Sequence, residues 1–200
     1  MIKKFPNGEV MLDYRVFFAA GLILFQYDHS LCVKYCKPIF HLIGINFMLF
    51  LKNFLALGNL PIHKEIFDRC VRLEEWGAFL MTEVGHGSNV QGVLTTATYD
   101  VPSESFILNT PNDMAAKFWI GNLAKTATIG VVVAQLICQG KNQGVHLFIV
   151  PLRDRVTHEV YPGIVIGDCG PKIGNPGIDN GICWFKNYKI PREYLLNKVS

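Results

Sequence analysis

The texture of the chain changes at Trp76, and this change constrains the fold more tightly than any single residue. Before it, the apolar pattern from Val16 to about Leu57 is helical, with Leu31, Tyr35 and Phe40 among its apolar positions and Pro38 breaking it. Leu57–Phe67 reads as a loop entering a short helix, with Pro61 near its start. After Trp76 the period shortens to that of strands. Val93–Tyr99 is rich in threonine and apolar residues, and Phe106–Asn109 follows a polar turn as its hairpin return. Ile129–Ile137 is a continuous apolar run, as a strand covered on both faces requires. GKNQG (Gly140–Gly144) then turns the chain into Val145–Val150, a second hairpin. Trp184–Ile190 is a further strand, introduced by the turn residues Asn175, Pro176, Gly177 and Asn180. Helices first and strands afterwards predict an α+β fold with segregated parts.

Two hundred residues can bury a sizeable core in one or two domains. A content of 50% hydrophobic against 18% charged residues belongs to a globular chain. The net charge of +3 comes without a Lys/Arg cluster interleaved with aromatics, so no nucleic-acid partner is expected. Six cysteines (32, 36, 70, 138, 169 and 183) form no CxxC pair and read as mostly buried thiols of a reducing compartment. The six histidines, His41 and His158 among them, have no metal-ligand spacing, and no metal is expected. The apolar runs Val16–Phe25 and Ile39–Leu51 raise a membrane reading. A spanning helix needs roughly 20 consecutive apolar residues, and Asp28, Lys34 and Lys37 divide these runs, with Lys52 closing the second. Helices packing on further helices are the expectation; attachment to a membrane through Val16–Leu51 is the minor alternative.

One stretch has no comfortable role in packing alone. In FLMTEVGHGSNVQG (Phe79–Gly92) an apolar run ends at Thr82 and Glu83, and Gly85, Gly87 and Gly92 follow among His86, Ser88, Asn89 and Gln91. Glycines this dense free the backbone to adopt φ > 0 and let a ligand approach the main chain. Successive N–H groups in such a turn can hold an anion. A plain connection between two elements explains the composition equally well. The spacing after Gly87 is wrong for a dinucleotide fingerprint, and GKNQG lacks the ending of a phosphate loop. Ser88 two residues from His86 lacks the nucleophile-elbow pattern of a hydrolase.

The surroundings tip this balance. TEVGHGSNVQGVLTTATYD (Thr82–Asp100) resembles the flavin-binding segment of peroxisomal acyl-CoA oxidases, within the acyl-CoA dehydrogenase/oxidase superfamily. Similar blocks follow in order: FILNTP, KFWIGNLAKTA (Lys117–Ala127), GKNQGVHLFIVPLRD, IGDCGPKIGNPGIDNG (Ile166–Gly181) and IPRE. The GHGS form with His86 resembles the oxidase branch. DHSLCVKY (Asp28–Tyr35) resembles the family's N-terminal helices, whereas Leu49–Lys52 departs from a usually glycine-containing pattern.

The resemblance implies a partial N-terminal helical region over residues 1–76 and an antiparallel, β-barrel-like flavin- and acyl-CoA-binding middle domain over residues 77–200. The family's C-terminal helical domain is expected to be absent from this chain. It implies FAD as cofactor, held by Thr82, Gly85, Gly87, Ser88, Trp119 and Gly121, with Ser88 also at the substrate. Thr82 would bond the pyrimidine edge of the flavin through its hydroxyl or backbone, and Trp119 would wall the ring. Asn122 and Leu123 stand where the family often has further glycines. The implied reaction converts a fatty acyl-CoA and O2 to trans-2-enoyl-CoA and H2O2, in peroxisomal β-oxidation, with a homodimer in the full-length family. The family's catalytic glutamate lies beyond Ser200 and Glu83 does not match it, so no catalytic residue is assigned and this chain alone is expected to be inactive. A catalytically silent flavin-binding or interaction module of the same fold is the alternative. Lys198-Val199-Ser200 is not a peroxisomal address of the SKL type. The Gly/Pro-rich loop Asp168–Gly181 carries no assignment.

Overall fold

The structure, a computed structural model, describes Ala19, residues 42–173 and residues 178–198. The apolar run Val16–Phe25 apart from Ala19, the segment Asp28–Tyr35, the break at Pro38 and the turn residues Asn175, Pro176 and Gly177 lie outside the described residues.

Among the described residues, helical residues 42–44 lead into a π-helical segment, Ile45–Phe50, that runs directly into α1 (Leu51–Leu57). After a short turn α2 spans Pro61–Val71. Pro61 opens α2 because its fixed φ suits the first helical position and its missing N–H is not needed there. His63 takes the N-terminal capping role: its Nδ1 accepts from the N–H groups of Asn59 and Leu60, while Nε2 meets the Glu193 carbonyl at 2.6 Å. That contact ties α2 to the C-terminal segment. Among the described residues no helix is long and apolar enough to cross a membrane.

Ten strands follow: β1 (Gly77–Leu80), β2 (Thr96–Asp100), β3 (Ser105–Asn109), β4 (Lys117–Gly121), β5 (Ile129–Cys138), β6 (Lys141–Pro151), β7 (Ile164–Asp168), β8 (Asn180–Phe185), β9 (Tyr188–Pro191) and β10 (Leu195–Leu196). The described part is therefore mostly β, with its helices preceding the strands. One sheet runs β10-β6-β5-β2-β3-β9 with β1 also on β5; the other runs β4-β8-β7. Both expected hairpins form, as β2–β3 and β5–β6. The second turns more tightly than GKNQG suggested. Gln139 and Gly140, at φ +50° and +75°, make the turn, and Asn142–Gly144 already belong to β6. Two consecutive left-handed residues match the twist of a hairpin.

Trp184–Ile190 is not one strand. It breaks at Lys186–Asn187, with Asn187 at φ +52°, so that β8 stays in the small sheet and β9 crosses to the large one. An apolar pattern can continue across such a break because both arms face the same core. Nor is the large sheet purely antiparallel. β1 and β2 each run parallel to β5, one beside Ile129–Val132 and the other beside Gln135–Ile137. They share one flank of β5 in succession, so the chain leaves the sheet after Leu80 and returns to it at Thr96. The Thr82–Gly92 stretch is this excursion.

Two apolar clusters explain the run of buried residues in β5. Val132 and Ala134 point into a core between the two sheets, with Leu80, Phe106, Phe148, Cys183 and Phe185. Ile129 and Val131 point to the other side, where Phe47, Phe50, Phe54 and Ile66 of the helices cover them. Each of these large side chains contributes roughly 1.5–3 kcal/mol by leaving water. The helices thus lie against the large sheet, and the π-helical segment rests beside β1.

Candidate functional site

The excursion after Leu80 is anchored to β4 before it returns. Phe118 N–H donates to the Thr82 carbonyl at 2.9 Å, Val84 N–H to Ala116 at 3.0 Å and Gly85 N–H to Met114 at 2.9 Å. Glu83 and Lys117 face each other across this junction as an antiparallel bridge. Their side chains are completely buried and paired at 2.9 Å. Lys117 Nζ also donates to the Met81 carbonyl at 3.1 Å and to Val133 at 2.7 Å. Three acceptors around one nitrogen match the three hydrogens of an ammonium. Glu83 in turn accepts from Leu94 N–H at 2.7 Å, Thr95 N–H at 3.0 Å and the Thr95 hydroxyl at 2.6 Å.

Burial pulls the Lys117 ammonium below the usual lysine range, with the Glu83 charge opposing. Burial pushes the Glu83 carboxyl upward, but Lys117 and the donors from Leu94 and Thr95 outweigh it, holding the carboxyl below its ordinary value. Both charges are committed to structure. Glu83 has no free oxygen with which to act as a base.

What this clamp positions is a cavity of about 460 Å³ at the junction of the two sheets and the π-helical segment. Its walls include Met81 and Thr82 from the excursion, Trp119 and Gly121 from β4, Asn180 from β8, and Ile45 from the helical side. Trp119 is unusual. It stands at φ +62°, in a bulge where β4 loses register with β8 between Lys117 and Ile120. A left-handed conformation costs a residue with a Cβ roughly 1–2 kcal/mol, and such strain persists where the surroundings hold it in place. The backbone is held by Asn180, whose Nδ2 donates to the Trp119 carbonyl at 3.2 Å. The indole is nonetheless 52% exposed, against Phe118 on one side and the Lys172 ammonium 6.0 Å from its centroid. It is a half-exposed aromatic wall of the cavity.

A side chain at Gly121 would have to displace Ile45. A Cβ there would lie 2.2 Å from Ile45 Cδ1. Asn122, at φ +67°, then ties the end of β4 to the helical side, donating to the carbonyls of Gly77 and Leu42. Asparagine tolerates the left-handed region, so departure from glycine at this position does not disturb the turn.

Thr82, Trp119 and Gly121, chosen from sequence, therefore line one cavity. Gly85, Gly87 and Ser88 do not; they sit farther along the excursion, all exposed. Gly85, Gly87 and Gly92 do not use positive φ, contrary to the expectation from composition. Gly85 is instead pressed against Met114, and Gly87 faces open space. Among the described residues no hydrogen bond joins Ser88 to His86. Three contributors escaped the sequence reading. Lys117 and Glu83 look like ordinary surface charges, and Asn180 lay inside the unassigned Gly/Pro loop; only the pairing of β4 with both the excursion and β8 brings them together.

The volume lies within the range of small-molecule sites, roughly 300–1,000 Å³, and the composition is typical of them: apolar walls with a few fixed polar groups. A hydroxyl and N–H at Thr82, a bare backbone at Gly121 and a half-exposed indole suit a flat, partly polar heteroaromatic ring. Among the described residues lining the cavity there is no carboxylate or histidine, and no cluster of described side chains could hold a metal ion.

Comparison with known proteins agrees with this chemistry. The family described as acyl-CoA dehydrogenase, middle domain, matches residues 78–188. The acyl-coenzyme A oxidase 3, peroxisomal, of Arabidopsis thaliana is 44% identical over 174 residues, covering 87% of this chain and 24% of that protein. The peroxisomal acyl-coenzyme A oxidase 1 of Bos taurus is 43% identical over 166 residues, covering 83% and 24%. Among solved structures, acyl-CoA oxidase-1 of Caenorhabditis elegans complexed with FAD and ATP superposes with a TM-score of 0.74 at 44% identity, covering 76% of this chain and 24% of that one. The chain spans about a quarter of the length of the curated relatives it matches.

Proposed function

The chain belongs to the acyl-CoA dehydrogenase family, matched through its middle domain, and from that premise we propose that it is the flavin-binding part of an FAD-dependent acyl-CoA oxidase of fatty acid β-oxidation. The observation that carries the reading is the meeting of Thr82, Trp119 and Gly121 around one cavity. When bound, FAD supplies the acceptor for the two hydrogens removed across the Cα–Cβ bond of the acyl thioester, and O2 takes them on to H2O2. Thr82 donates to the pyrimidine edge, where donors favour an electron-rich ring. Trp119 walls the ring and excludes water, and Gly121 lets it lie close to the main chain. Gly85, Gly87 and Ser88, exposed on the same excursion, are the remaining cofactor contacts of this reading, with Ser88 also at the substrate. Relatives solved with FAD support the cofactor, and one, acyl-CoA oxidase-2 of Caenorhabditis elegans, is described as bound with FAD, ascaroside-CoA and ATP.

Residues 1–76 form part of the helical domain and residues 77–200 the middle domain of this reading. The names of the relatives support a peroxisomal setting, and a homodimer completes the assembly. A second reading has its own observation. Since no described residue lining the cavity is a carboxylate, the α-proton has no acceptor among the described lining residues, and in this second reading the chain by itself binds flavin without turning over substrate. One experiment addresses both: the purified chain is examined for the absorbance of bound flavin, then assayed for peroxide with a long-chain acyl-CoA. Bound FAD with no peroxide supports the flavin platform and the second reading for this chain. Peroxide production refutes the second reading, and failure to take up FAD refutes the site.

A further inference from the structure

The buried ammonium does more than join two strands. Lys117 Nζ donates to the Met81 carbonyl, and that carbonyl shares its peptide unit with the N–H of Thr82. A cation on the oxygen of a peptide draws electron density toward it and strengthens the N–H at the opposite end as a donor. Among the described residues the Thr82 N–H donates to no protein acceptor, and both Met81 and Thr82 line the cavity. From this geometry we infer that Lys117 is a positioning residue that polarises the Met81–Thr82 peptide toward the cavity and thereby favours the reduced form of a bound flavin, with Glu83 moderating its charge. This rests on the flavin reading above.

Three features distinguish this from plain scaffolding. The ammonium is one peptide from the cavity wall and lies in a dry interior, where its field is weakly screened. Its second carbonyl acceptor, Val133 in β5, and its pairing with Glu83 fix it in place, so it cannot swing away when the cavity fills. Glu83 is held in turn by Leu94 and Thr95 on the return of the excursion, so both charges and the peptide they act on belong to one hydrogen-bonded cluster joining β4, β5 and the excursion. The two charges act in opposite senses on the same peptide. Removing Glu83 alone leaves the ammonium unopposed; removing both takes the field away.

The test compares the purified full chain with Glu83→Gln and with Glu83→Gln/Lys117→Met, the double variant avoiding an unpaired buried carboxylate. Two quantities are read at pH 6. The first is the amide proton shift of Thr82 in flavin-free protein, which needs no cofactor. The second is the two-electron potential of bound FAD by equilibration with reference dyes. The inference expects the Thr82 amide to move upfield in the double variant. It expects the preference for reduced over oxidised flavin to fall about tenfold there, a shift of about 30 mV to the negative. Glu83→Gln should shift the potential the other way. A purely structural role would loosen both variants and move them in the same direction. Flavin uptake with an unmoved potential, or shifts of the same sign in both variants, overturns this inference alone. No uptake by the unsubstituted chain overturns the flavin reading and this inference together.

Discussion

Substituting Lys117 by methionine should be among the most damaging single changes in the described part of the molecule. The ammonium is wholly buried and neutralises a carboxylate that is equally buried. Methionine fills much of the same space but leaves Glu83 with three donors and no countercharge. Breaking a buried pair from one side costs about 3–5 kcal/mol. At about 2–4 °C per kcal/mol for a chain of this size, the midpoint of thermal unfolding should fall by roughly 6–20 °C. Removing the second charge should restore part of the loss, so Glu83→Gln/Lys117→Met should unfold above Lys117→Met even though it carries one change more.

The deficit should also depend on pH, with a sign that follows from the carboxyl. In the intact pair the Glu83 carboxyl titrates below its ordinary value in the folded state. Its contribution to stability is therefore full above the unfolded glutamate value, about 4.3, and is lost as pH falls through the folded value. In Lys117→Met the stranded carboxylate gains by protonation instead. The gap between the two proteins should narrow as pH is lowered from 7 toward 4, followed by circular dichroism during thermal or urea unfolding. A Lys117→Met protein as stable as the parent would show that the buried pair contributes nothing. A double variant less stable than the single, or a gap independent of pH, would contradict the role given to the two charges.

Other outcomes follow from the same geometry. Trp119→Gly removes the strain of a left-handed residue, worth about 1–2 kcal/mol; thermal unfolding should stay level or rise while flavin affinity measured by fluorescence falls at least tenfold. Gly121→Trp should abolish flavin uptake, because the new Cβ meets Ile45 and the indole fills the cavity. Gly121→Ala should cost only about 1–3 kcal/mol of overpacking, since the end of a flexible side chain gives way; equal effects of the two on flavin binding would contradict the cavity. Cys70 and Cys183 are buried, and burial pushes both thiols well above the usual range. Brief alkylation of native protein, mapped by mass spectrometry, should label Cys138 and Cys169 and spare these two.

The parts legible in the sequence were those governed by local chemistry. Pro61 marks the start of α2, and a threonine- and apolar-rich stretch followed by a polar turn gives the β2–β3 hairpin. The apolar run of β5, with only Gln135 breaking it, announced a strand covered on both faces, which the two apolar clusters supply. What could not be read was set by pairing at long range. Nothing local to Thr82 indicates that β1 and β2 lie end to end along β5, yet that arrangement expels the loop between them. Lys117 and Glu83 are indistinguishable in sequence from solvated charges until the strands that bury them are joined. Trp119 was reached through resemblance; its backbone strain belongs to a bulge that sequence does not reveal. The glycines of the excursion show the reverse error, since their density suggested left-handed turns and the backbone uses them for close approach and open space.

The central claim is that the cavity bounded by Thr82, Trp119 and Gly121 receives a flavin ring. Titrating FAD into the isotopically labelled chain and following the backbone amides tests it most directly. Thr82, Trp119, Gly121 and Asn180 should shift together and saturate at one equivalent, while Gly140 and Gly163 in other turns stay still. Saturable binding that moves a different set of amides, with these four unchanged, would contradict it.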